Sequence, residues 1–157
     1  MINIDRFGKA PTSEVLGIVE IALSQFDVHL GGLQTIGLLE ALSETDEGQR
    51  SGSLYGLTAP AVLPCLFWSA LPRPVWCDLS PWAYISSKYY PTVHDALMRG
   101  GYPEVSIAPK GVWVKTGDWT MDGATNLTRM KAFWGTFWER SGLDRARLPG
   151  AMGSEAS

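Results

Sequence analysis

"EVSIAPKGVWVKT", residues 104–116, decides the fold class. Val105, Ile107, Val112 and Val114 are β-branched, and their alternation has the two-residue period of extended chain. Between the two runs, Ala108-Pro109-Lys110-Gly111 sets proline second and glycine fourth, as a tight turn favours. The stretch predicts a β-hairpin. A lone two-stranded hairpin is marginal in water, so it needs helices or a further strand to pack on. "VWCDL", residues 75–79, is the expected third strand.

The rest of the chain reads mainly as helix. Thr12 or Ser13 offers an oxygen to cap a first helix over about 13–29, where Val15, Val19, Ala22 and Phe26 recur at helical spacing. Gly31-Gly32 marks its expected end, and a second helix over about 33–44 completes a helical hairpin. Residues 43–53 are polar and rich in Gly and Ser, and read as a loop. A short buried helix is expected over 61–71. Ser80-Pro81 reads as cap and first position of a helix running to about Tyr90. Pro91-Thr92 starts another helix, which Gly100-Gly101 close. A last helix starts at a Thr125 or Asn126 cap, ends near Arg140, and has Gly142 as its C-cap. The expected fold is α+β: an N-terminal helical hairpin, a short buried helix, a small antiparallel sheet of two or three strands and a C-terminal aromatic amphipathic helix. Residues 1–148 are expected to form one domain, with 149–157 as a tail.

Hydrophobic residues make up 45% of the 157 and charged residues 18%, which is enough apolar material for a core. The formal net charge of −3 is uneven: residues 1–50 carry eight acids and three bases, residues 51–157 eight acids and ten bases. Neither half has the basic stripe by which duplex binders neutralise phosphate. The N-terminus lacks an apolar run after a basic start, so no signal peptide is expected. Two cysteines, Cys65 and Cys77, fit a reducing, cytoplasmic setting. Residues 51–72 are charge-free between Arg50 and Arg73, but the dense apolar part is short and Pro60 and Pro64 interrupt it, so no membrane span is expected.

The chemistry-bearing residues are sparse. Cys77, Asp78 and His94 would make a nucleophile–base pocket only by converging in space. No His/Cys pair has the spacing of a structural zinc site, and no metal or cofactor is expected. Residues 31–37 lack the lysine of a phosphate loop, and Asn126-Leu127-Thr128 matches a glycosylation sequon. Lys110, Lys115, Arg129, Lys131 and Arg140 interleave with tryptophans as in single-strand binders, but Asp118, Asp122 and Glu139 dilute that charge.

Aromatic residues dominate instead. Seven tryptophans fall at 68, 76, 82, 113, 119, 134 and 138. On the last helix Leu127, Met130, Trp134 and Phe137 form one stripe, which Phe133 and Trp138 widen. Tryptophan buries much area with few rotatable bonds and is enriched in interface hot spots. The expected function is therefore a non-enzymatic protein–protein interaction module: an inhibitor, adaptor or self-assembling protein. Its contacts are assigned to Trp113, Trp119, Phe133 and Trp138. The composition is of the kind common among phage and mobile-element accessory proteins. The alternative is a small enzyme or ligand-binding domain with a pocket at Cys77, Asp78 and His94.

Overall fold

The computed structural model describes residues 13–28, 30–33, 81–118 and 121–148. The chain is α+β. Helix α1 (Ser13–Gln25) leads to strand β1 (Leu30–Leu33). Strand β2 (Trp82–Ser86), helix α2 (Pro91–Arg99), strands β3 (Val105–Ala108) and β4 (Gly111–Lys115), and helix α3 (Gly123–Ser141) follow, with a 3-10 turn at Arg145–Arg147. The strands form one antiparallel sheet in the order β1-β2-β4-β3.

The hairpin forms where the sequence places it. Ala108 pairs with Gly111, leaving Pro109-Lys110 as a two-residue loop. Lys110 takes a left-handed φ of 58°, which costs a residue with a Cβ and is the one such non-glycine position among the described residues. The surroundings hold it there. The Tyr84 hydroxyl donates to the Pro109 carbonyl at 2.9 Å, and the Ser87 backbone N–H and hydroxyl both donate to the Lys110 carbonyl at 3.0 Å. Gly111 is required by packing, since a Cβ there would lie 2.2 Å from the Ile85 carbonyl oxygen.

Two expectations are overturned nearby. Residues 82–86 are strand, where a helix from Ser80-Pro81 to Tyr90 was expected. Pro81 ends up as the residue before a strand: its carbonyl accepts from Thr116 N–H at 2.7 Å and from the Thr116 hydroxyl at 3.2 Å, fixing the register with β4. Ala83, Tyr84, Ile85 and Ser86 are all buried, because β2 lies between β1 and β4 and is covered on both faces. Gly31-Gly32 does not cap the first helix, which stops at Gln25; the two glycines lie inside β1, a fourth strand. The remainder of the expected second helix, the buried helix over 61–71 and the strand at 75–79 lie outside the described residues.

The helices frame the sheet on both sides. Ala83, Ile85, Val112 and Val114 face α2 and α3, packing on Val93, Leu97, Met130, Phe133, Trp134 and Phe137. Tyr84, Ala108 and Trp113 face the other way, against Val19, Leu23 and Val28. Helix α2 begins at Pro91 and closes at Gly100, with Gly101 left-handed, as the sequence implies. Helix α3 starts three residues earlier than expected. Asp122 is its cap, accepting from Thr125 N–H at 2.8 Å and from the Thr125 hydroxyl at 2.7 Å, and these bonds hold its carboxyl below its ordinary pKa. Gly142 closes α3 in the left-handed conformation. Among the described residues no helix is long and apolar enough to cross a membrane.

Candidate functional site

The aromatic residues assigned to partner contact do not form one surface. Trp113 is 5% exposed on β4, edge-on to Tyr84 at 5.8 Å, on the α1 face of the sheet. Phe133 is 9% exposed on α3, on the opposite face. Trp138 is half-buried, stacked on Trp134 at 5.6 Å and edge-on to Phe137 at 4.8 Å. Trp119 lies outside the described residues. Rings fill the core because α3 lays its wide stripe flat on the sheet, and among the described residues the large apolar side chains most open to solvent are Ile18, Ile21, Phe26, Met98 and Ile107. Gly135 does not receive a close neighbour: a Cβ there would meet nothing within 4 Å.

Of the alternative pocket, His94 alone lies among the described residues. His94 lies on α2 with Nδ1 3.0 Å from the carboxylate of Asp95, and Cys77 and Asp78 are outside the described residues. Among the described residues no cluster of His, Cys, Asp or Glu is suited to a metal.

A cleft of about 640 Å³ opens where the end of β4 meets the flank of α3. One wall is a single stripe of α3: Arg129, Ala132, Phe133, Thr136 and Arg140, at spacings of three, one, three and four. The facing wall is Tyr102–Glu104, which leads into β3, and Lys115–Asp118 with Met121, which leave β4. Phe133 supplies the apolar floor and meets Tyr102 edge-on at 5.4 Å.

Charge sets the cleft apart. Arg129 and Arg140 stand on the α3 wall, and Lys115, Glu104 and Asp118 belong to the facing segments. None of the three cations makes a salt bridge with a described residue. The Arg140 guanidinium lies 5.0 Å from the Tyr102 centroid inside the cleft, whereas Lys115 Nζ lies 4.4 Å from the Trp82 centroid, on the α1 face of the sheet. Asp118 is drawn into the wall, its carboxylate accepting from Met121 N–H at 3.2 Å.

Asn126 builds that wall. Its side chain is fully buried, accepts from Asp118 N–H at 3.2 Å, and donates to the carbonyls of Asp118 at 3.1 Å and Met121 at 3.4 Å. Gly117 must be glycine beside it, since a Cβ would lie 2.0 Å from the Asn126 oxygen. Neither cap nor accessible sequon, Asn126 is a clamp between α3 and the loop leaving β4. The signal was present in the sequence: Asn126, Met130, Phe133 and Phe137 share one stripe, and a polar residue there must find partners in the interior.

Comparison with protein-family models, with curated proteins and with solved structures finds no match.

Proposed function

We propose that the protein is a non-enzymatic protein–protein interaction module whose partner docks in the cleft between α3 and the end of β4. The observation that carries this reading is the pair Arg129 and Arg140, which make no salt bridge among the described residues, flanking an apolar floor. Charges without internal partners that are pre-placed by stacking lose little entropy on binding, and a ring floor beneath them supplies apolar area. Phe133 keeps its assigned role as that floor. The contacts assigned to Trp113 and Trp138 become support: Trp113 packs β4 against Tyr84, and Trp138 packs on Trp134 and Phe137 of its own helix.

A photoreactive benzoylphenylalanine at Thr136, exposed inside the cleft, tests this in extract of the source cells. One protein species is expected to cross-link, and to be lost when Arg129→Glu is added. The same group at Ser24 on α1 is expected to give no such species. The absence of a protein cross-link at Thr136, or an equal yield from Ser24, overturns the reading.

A further inference from the structure

Resting on that reading of the cleft, we infer that the docking segment is an extended peptide with two acidic side chains bracketing an apolar one. Arg129 and Arg140 are eleven positions apart on one face of α3. At about 1.5 Å per residue they stand about 16 Å apart along the helix. Between them the same face presents Ala132, the edge of Phe133 and Thr136, with no charge. The order along the wall is cation, apolar step, cation. An extended chain advances about 3.3 Å per residue and its side chains alternate sides, so acids four residues apart, about 13 Å, face the wall together within reach of both long arginine side chains. Guanidinium groups accept carboxylates in paired hydrogen bonds, which adds geometric selectivity to charge. The apolar side chain between the acids falls on Phe133.

Single-stranded nucleic acid fits this wall less well. A phosphate chain carries a charge at every nucleotide and would meet Glu104 and Asp118 as well as the arginines. Its bases need ring faces to stack on. Trp134 is 4% exposed and stacked with Trp138, and Trp113 is buried on the other side of the sheet.

The test is fluorescence anisotropy with four labelled probes. They are a peptide with two glutamates four residues apart and leucine midway between them, the same peptide with adjacent glutamates, its lysine counterpart, and an oligo-deoxythymidine. The spaced-glutamate peptide is expected to bind tightest and to weaken as salt rises. Arg129→Glu and Arg140→Gln, both at exposed positions, are each expected to weaken it about tenfold, and about a hundredfold together, since sites this far apart add. Equal binding of the adjacent-glutamate peptide, tighter binding of the oligonucleotide, or indifference to both substitutions overturns the inference. If the peptide fails while the Thr136 cross-link persists, the partner chemistry is wrong and the docking site stands. If the cross-link is absent while the peptide binds, the interaction-module reading falls instead.

Discussion

The two faces of the sheet are closed in different ways. Over one, α2 and α3 bring a continuous set of rings and aliphatic groups: Phe137, Val93, Ile85 and Val112 are completely buried. Over the other, α1 is the one helix among the described residues, and its Val19 and Leu23 pack with Val28 onto Tyr84 and Trp113. The helices differ in their outer sides too. The outward positions of α3 are Arg129, Lys131, Glu139 and Arg140, whereas α1 shows Ile18 at 58% and Ile21 at 64% exposure, with Phe26 beyond its end at 60%. The difference teaches where specification is strongest. A helix polar outside and aromatic inside can lie on the sheet only one way round. A helix apolar on both sides is oriented by the shape of what it packs on, here a shelf made by Tyr84 and Trp113.

The first way to break this comparison is to hollow each face. Phe137→Ala is expected to cost about 4 kcal/mol and Leu23→Ala about 3 kcal/mol, from lost transfer energy and the cavity left behind. Urea midpoints at constant slope measure both. A larger loss at Leu23 would make the α1 face the dominant core and reverse the ranking.

The same contrast explains what the sequence disclosed. The hairpin, α2 and α3 were legible because their signals are local: alternation with a Pro109 turn, Pro91 to Gly100, and a ring stripe ending at Gly142. Strand β2 was not, because Ser-Pro opens turns as readily as helices, and only burial between β1 and β4 makes Trp82–Ser86 a strand. Strand β1 was hidden because paired glycines read locally as a helix stop. Of the cleft, the residue types were visible and the assembly was not. Arg129 and Arg140 come from α3 and the facing wall from the segments before β3 and after β4, and their neighbourhood depends on the Asn126 clamp, a contact made only once α3 has docked.

The α1 face also carries a pH signature. Burial pushes the Tyr84 hydroxyl up to about 12 from an ordinary value near 10. The folded value lies above the unfolded one, so its contribution is complete below pH 10 and is lost as pH rises from 10 to 12. Tyr84→Phe removes this dependence and gives up the bond to the Pro109 carbonyl, so it is expected to be about 1 kcal/mol less stable at pH 8 and flatter above pH 10. Parallel curves for the two proteins above pH 10 would show that Tyr84 is not sealed under α1.

The smallest effect sharpens the comparison most. If the outer side of α1 faces water in the isolated chain, Ile18→Gln with Ile21→Gln removes no buried contact, and stability should change by no more than about 0.5 kcal/mol. Glutamine is a slightly better helix former than isoleucine, so a loss of stability would report on burial. A loss above about 2 kcal/mol would mean that these side chains are covered in solution. The α1 face would then be closed by two apolar layers like its counterpart, and the difference between the two faces would vanish.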